Sequence, residues 1–217
     1  MMTMNPVEGH FGDQFIEAFD ELLRWRRDVR HFKTDPIDDD VVEGILRSAE
    51  LSPSVGNSQP WRWVDVRSPE PRAVVKETFM RCNADALNGY RGERAQKYLS
   101  LKLAGLDQAP VHIAVFCEDG TAQGHGLGRQ TMPETLAYSV VTAIGSLWLA
   151  ARARGVGVGW ISIVEPDDVC AALDVPDGWR FVAYLCLGYP VQVESTPELE
   201  RAGWQARTDP RARYFVR

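Results

Sequence analysis

No two of the four cysteines, Cys82, Cys117, Cys170 and Cys186, stand close enough to form a CxxC pair, and they are too scattered for a disulfide framework. Reduced thiols in a cytoplasmic protein are the expectation. Metal-binding patterns are equally absent: His10, His31, His112 and His125 show no HxxxH spacing and no carboxylates at ligand intervals, so no metal is expected. There is no basic stripe. The formal net charge is −6 over 217 residues, which argues against a nucleic-acid partner, because phosphate backbones are gripped by excess lysine and arginine. Met1 to Gly12 lacks the basic start and apolar run of an export signal and reads as a flexible end. Nor is there a run of the roughly 20 apolar residues that a membrane span needs. The longest uncharged stretch, Thr135 to Ala151, has 17 residues and includes Tyr138, Ser139, Thr142 and Ser146, so it reads as a buried helix with no membrane partner.

What is present begins with Arg26-Arg27-Asp28-Val29-Arg30, where three guanidiniums and one carboxylate crowd together. Arginine offers a planar fork of donors that suits a phosphate and keeps its charge at neutral pH. Taken alone, the cluster reads first as a solvated helix end with local ion pairs. Phe15, Ile16, Phe19, Leu22 and Leu23 repeat at helical spacing, so a helix from Asp13 to about Trp25 delivers the cluster at its C-terminal end. Asp38 is a plausible N-cap for a second helix carrying Val41, Val42, Ile45, Leu46 and Ala49. Pro53 to Trp61 is a loop dense in turn formers, read either as a connector or as a binding loop.

Further on, Trp61 to Val66, Pro110 to Cys117 and Trp179 to Gly188 read as strands, and Arg72 to Tyr90, Gly92 to Leu106 and Pro166 to Leu173 as helices. The helix from Pro133 to Arg154 is apolar on nearly every face, which suits a large core or a twin in a dimer. Gly155, Gly157 and Gly159 follow a helix and precede a strand-like Trp160 to Val164. That order excludes a dinucleotide-binding loop and leaves either a turn or a backbone made slim for something flat and close. The tail beyond Pro190, rich in Pro, Glu and Arg, is expected to wrap a second subunit. These elements predict one α+β domain over 1–217, helices around a small mixed β-sheet.

The ordered set of motifs, Arg26 to Arg30 with Phe32 and Asp35-Pro36-Ile37, then Pro53-Ser54 with Gln59-Pro60-Trp61, then Leu147-Trp148-Leu149-Ala150-Ala151 leading to Gly155, resembles the nitroreductase superfamily of FMN-binding homodimers over residues 15–207. Gly92-Glu93-Arg94, Lys97-Tyr98, Ser100 to Leu103 and Leu147 to Ser162 narrow the likeness to the 5,6-dimethylbenzimidazole synthase group. The resemblance implies a homodimer with a long buried central helix, an exchanged tail over 190–217, and a flavin at the subunit interface. It implies Arg26 and Arg207 on the FMN phosphate, Arg30 at the pyrimidine edge and Asp28 facing the ribityl chain. Pro53, Ser54, Val55, Gly56 and Gln59 would reach the flavin from the other subunit, with Arg27, Leu101, Gly157, Gly159 and Trp160 among the remaining contacts and Gly92 to Leu103 as a lid.

The implied activity consumes the flavin: reduced FMN reacts with O2 and is fragmented to 5,6-dimethylbenzimidazole and erythrose 4-phosphate, the reduced flavin coming from a separate reductase. Asp28 is expected to act as a proton acceptor, kept charged by Arg26, Arg27 and Arg30, and Ser162 to hydrogen-bond near flavin N5. Two other functions fit the same motifs: an NAD(P)H-dependent nitroreductase or quinone reductase that recycles its FMN, and a non-catalytic flavin-binding or storage protein.

Overall fold

A computed structural model describes residues 11–100 and 105–217; the expected flexible start, apart from Phe11 and Gly12, and Leu101 lie outside these residues. Eight helices and four strands occur among them: α1 Asp13–Trp25, α2 Asp39–Ala49, β1 Trp61–Asp65, α3 Pro69–Leu87, α4 Glu93–Ser100, α5 Gly105–Gln108, β2 Val111–Glu118, α6 Thr135–Ala153, β3 Gly157–Ile161, α7 Pro166–Ala172, β4 Trp179–Gly188 and α8 Glu198–Arg201. The sheet order is β1-β2-β4-β3. All three ladders are antiparallel, which corrects the expected mixed sheet; the one parallel pairing is an isolated bridge between Asp28 and Val158.

Alternation along the central strands builds two cores. Ile113, Val115 and Cys117 of β2, with Ala183, Leu185 and Leu187 of β4, face α2 and α6. Ala114, Phe116, Tyr184 and Cys186 face Val75 of α3 and Val169 of α7. Helix α6 is long and apolar enough to cross a membrane by length and composition, yet here it is a core helix. Its buried stripe, Leu136, Val140, Ala143, Ile144, Leu147 and Ala151, recurs at helical spacing, and each fully buried Leu or Ile contributes about 1.5–3 kcal/mol. Its other side leaves Tyr138 and Val141 open to solvent. Helix α1 buries none of its residues and exposes Phe15, Ile16, Phe19 and Leu23.

Two local expectations change. Asp38 occupies the N-cap position of α2, but its side chain makes no capping hydrogen bond. The third strand begins at Gly157 rather than Trp160, so Gly157 and Gly159 lie inside it, and Ser162 falls just past its end. The reason is close approach, and what approaches is this chain's own Arg26-to-Phe32 segment. A Cβ on Gly157 would sit 2.8 Å from Val29 Cγ2, and one on Gly159 would sit 2.3 Å from the Val29 carbonyl oxygen. Val29 N–H donates to the Val158 carbonyl at 3.0 Å, while Lys33 N–H donates to Tyr189 O at 2.8 Å. Phe32, 2% exposed, seals the segment: a Cβ on Gly188 would lie 2.8 Å from its ring.

His112 is enclosed between these layers. Its Nε2 faces the Ala109 carbonyl at 3.2 Å, a pure acceptor, so that nitrogen carries the proton and Nδ1 accepts from the Tyr184 hydroxyl at 2.9 Å. Burial first, and the charge of Arg72 second, lower its pKa to about 4. The unfolded chain therefore binds a proton below about pH 6.5 that the folded chain refuses until about pH 4. The His112 contribution is lost as pH falls through that window, by up to about 3 kcal/mol. Urea unfolding of His112→Gln should show a correspondingly shallower loss between pH 6.5 and 4 than the parent; equal slopes would remove His112 from the account. Gly159→Ala should cost about 1–3 kcal/mol because its methyl meets backbone rather than a flexible tip. Gly120→Ala, whose methyl meets nothing within 4 Å, should unfold at nearly the parental midpoint.

Candidate active site

Helix α1 stops at Trp25 because Arg26 turns extended, at φ −73° and ψ 114°, and the chain then runs straight along the edge of β3. That path fixes the arginine cluster. The Arg26 guanidinium lies 4.9 Å from the ring centre of Trp148 on α6. Trp148 Nε1–H donates to the Arg27 carbonyl at 3.2 Å, Arg27 Nε–H donates to Ser195 O at 2.7 Å, and its Nη1–H donates to Arg26 O at 2.6 Å. Arg207 of the tail comes close enough for its charge to act on both. Burial, then the repulsion of Arg207, holds Arg26 and Arg27 below the ordinary arginine value, with Asp28 and Glu200 offsetting only part. Neither guanidinium has an ion-pair partner among the described residues. Three guanidiniums share a site in which no described carboxylate pairs with Arg26 or Arg27, an arrangement that fits a phosphate group.

Asp28 sits at the other pole. Its Oδ1 accepts the Trp160 backbone N–H at 3.1 Å, and its Oδ2 faces Arg30 Nε at 3.3 Å. Burial raises its pKa, the Trp160 N–H and Arg30 counter that only in part, and Glu198 adds a further upward push. The shift runs opposite to the one expected from the arginines, because desolvation outweighs them. The side chain is deep in the protein yet keeps 39% of its surface, since it opens into a cavity of about 310 Å³. Arg27, Arg30, Trp148, Arg152, Val156 to Val158 and residues between 190 and 201 are among the remaining walls. The volume lies at the lower end of the ~300–1,000 Å³ usual for small-molecule sites.

The structure thus brings together Arg26, Arg27, Asp28, Arg30 and Arg207, with Gly157, Gly159 and Trp160 behind them on β3. It keeps the other expected contacts apart. Val55 N–H donates to Ser139 Oγ on α6 at 3.0 Å, and Gln59 N–H donates to Ser54 Oγ at 3.0 Å. Gly56 and Gln59, at positive φ, carry the loop from Pro53 onto the 123–127 turn, where Gln123 Nε2–H donates to Gln59 Oε1 at 2.9 Å. Ser139 and Trp148 are nine residues apart on α6, so this loop and the arginine cluster are separated by about 13 Å of helix axis. Ser162 is exposed and lines no part of the cavity. Trp148, Arg152, Ser195 and Glu198 were not foreseen as site residues. The four-residue interval from Trp148 to Arg152 on one helix face was the available signal. Within one chain the tail touches the arginine cluster through the Arg27–Ser195 hydrogen bond, while most of 201–207 is exposed.

The nitroreductase family model matches residues 23–189. The 5,6-dimethylbenzimidazole synthase of Rhodospirillum rubrum is 57% identical over 197 residues, covering 91% of this chain and 93% of that protein. The enzyme of the same name from Rhodobacter capsulatus is 50% identical over 196 residues, covering 90% and 95%. Among solved structures, oxidized iodotyrosine deiodinase bound to FMN and 3-iodo-L-tyrosine superposes with a TM-score of 0.68 at 23% identity, covering 81% of this chain and 91% of that one, a likeness of fold. The chain belongs to the nitroreductase family, on the branch that holds the 5,6-dimethylbenzimidazole synthases.

Proposed function

We propose that this protein makes 5,6-dimethylbenzimidazole, as the names of its relatives at 57% and 50% identity suggest, and that it does so by destroying reduced FMN, as the family resemblance implies. The observation that carries the reading is Asp28: a carboxylate with a raised pKa on the floor of a cavity whose rim bears unbalanced arginines. The chemistry that bound reduced FMN supplies is its own fragmentation by O2, ribityl C1′ becoming C2 of the product and erythrose 4-phosphate leaving. Arg26, Arg27 and Arg207 hold the phosphate, and Trp148 backs Arg26. Asp28 faces the ribityl chain. Its Oδ1 is occupied by the Trp160 N–H and its contact to Arg30 is long, so Oδ2 is the atom positioned to take a proton. Raising the carboxylate's pKa makes it a stronger base once ionised, which suits a proton acceptor better than a fully paired aspartate would.

The flavin also needs contacts that one chain does not bring. The loop from Pro53 to Gln59 lies far along α6 from Asp28, and the exposed Tyr138, Val141 and the apolar face of α1 form a surface that a second copy would cover. A homodimer follows, each loop serving the partner's cavity and the tail beyond 207 free to cross; Ser162 beside flavin N5 rests on the resemblance alone, and a cytoplasmic setting on the scattered cysteines. Leu101 joins the flavin contacts by resemblance alone, and a separate reductase supplies the reduced flavin.

The test is direct. Protein, FMN, a chemical reductant and air should yield 5,6-dimethylbenzimidazole by chromatography with loss of flavin; flavin that survives many aerobic cycles intact would leave the recycling nitroreductase or the storage protein standing instead. Asp28→Asn should bind FMN and lose about 10²–10⁴-fold in product formation. In the parent the rate should fall at acid pH as Asp28 gains its proton, with the inflection above the ordinary aspartate value because burial raises it. Parental turnover in Asp28→Asn would sink the role. Val141→Glu should give a monomer by light scattering and lose FMN, whereas an unaltered dimer would move the interface elsewhere.

A further inference from the structure

Two of the arginines given the phosphate above meet on one indole. The Arg26 guanidinium lies 4.9 Å from the ring centre of Trp148, and Trp148 Nε1–H donates to the Arg27 carbonyl at 3.2 Å. One turn further along α6 stands Arg152. Side chains four residues apart share a helix face with Cβ atoms roughly 5–6 Å from one another, so Arg152 neighbours Trp148, and both form the cavity wall with Arg27. The bridge between Asp28 and Val158 is parallel, which sets Arg26 toward Val156 and Arg30 toward Trp160. Arg152, just ahead of Val156 in the chain, therefore belongs to the Arg26 end of the cavity rather than to the Asp28 floor. It also borders a second, more open hollow of about 540 Å³, which shares Trp25 and Val193 with the first. Arg152 thus stands where the cavity meets that opening.

The donors around this cavity are unequally committed. Arg27 spends Nε–H on Ser195 O and Nη1–H on Arg26 O, Arg30 faces Asp28, and Arg201 Nη1 lies 3.8 Å from Glu194. Arg152 is half-buried, and among the described residues its guanidinium has neither a hydrogen bond nor an ion pair. The carboxylates on the two walls are directed elsewhere: Glu21 pairs with Arg24 at 2.9 Å, Glu194 with Arg201, and Glu198 acts on Asp28. A guanidinium carries five donors in a fixed fork and keeps its charge at neutral pH, and a terminal phosphate presents three acceptor oxygens to match it. We infer that Arg152 is a further phosphate-binding residue, which closes the Arg26–Arg27 end of the cavity on the side of the open hollow and strengthens the choice of FMN over riboflavin. This rests on the placement of the FMN phosphate proposed above.

Titration of the full chain with FMN and with riboflavin, followed by flavin fluorescence, tests it through the ratio of the two affinities. Arg152→Gln should lower the preference for FMN about 10-fold or more and leave riboflavin binding as in the parent, because only the phosphate contact is lost. Arg152→Lys keeps the charge without the fork and should lower the preference about 3-fold, which keeps the test open if Arg152→Gln does not fold. Arg154, two residues on, lines neither hollow and donates from Nη1 to Ala150 O at 2.9 Å, so Arg154→Gln should bind both flavins as the parent does. A parental ratio in Arg152→Gln, an equal loss for both flavins, or the same fall in Arg154→Gln overturns the assignment. A parent that binds FMN no better than riboflavin overturns the phosphate placement on which it rests. The expected ratios without any 5,6-dimethylbenzimidazole from reduced FMN and air would leave Arg152 in place and sink only the synthase chemistry.

Discussion

The structure depends on one steric condition: β3 and the end of β4 must present no Cβ where the Val29-to-Phe32 segment lies against them. With Gly157, Gly159 and Gly188 at those places, an extended stretch lies flat on the sheet edge and Phe32 fills the space the missing side chains leave. Several properties follow together. The edge of the sheet is covered, which removes a row of unpaired backbone groups. Asp28 reaches the Trp160 N–H, and Arg30 is set two residues away from it. The helix that precedes the segment ends at a fixed point, so the Arg26 guanidinium meets the Trp148 ring. Where Gly159 meets the Val29 carbonyl the contact is backbone to backbone, which leaves the segment little room to shift.

The electrostatic design divides the cavity into two ends. At the rim, arginines are gathered without enough carboxylate to neutralise them, and they repel each other at a cost that an anion removes. On the floor, a carboxylate is buried more deeply than its cationic neighbours can compensate, so its proton affinity rises. A molecule that is anionic at one end and gives up a proton near the other is matched to both. The same argument explains why Arg30 does not simply neutralise Asp28. At 3.3 Å, with Oδ1 already engaged by Trp160, the pair is too long to be a tight charge-assisted bond.

Much of the fold could be read from the chain. Helix α1 and strand β4 occupy the spans that their hydrophobic periods and flanking breakers indicated, and the arginine cluster lies where α1 was expected to deliver it. Arg207 also arrived near the cluster, as the resemblance implied. What escaped shares one cause, dependence on residues far away in sequence. The direction of Asp28's titration is set by burial in the folded chain, with Glu198 of the tail adding to it, and no window around residue 28 contains either. The glycines after α6 signalled close approach, but that the approaching group is Val29 is a tertiary fact. The sheet's antiparallel character hinges on which strands became neighbours, since β3 follows α6 directly yet pairs with β4 in the opposite direction. Asp38 stands at the right place to cap α2 without doing so, because local sequence sets the position and not the rotamer.

The two uncovered apolar surfaces and the divided set of flavin contacts make a single argument. A helix that buries none of its residues is not held by this chain's own core, and the outer side of α6 presents Tyr138 and Val141 to water at 56% and 44% exposure. Along that same helix the Pro53–Gln59 loop sits near one end and the Arg26–Asp28 cluster near the other. Two antiparallel copies of α6, packed through their exposed sides, would bring the loop end of each against the cluster end of its twin. One operation then covers the apolar surface and completes two cavities at once. In the proposed dimer, selection for a finished site and selection against exposed hydrocarbon would act on one helix face, the one that carries Tyr138 and Val141.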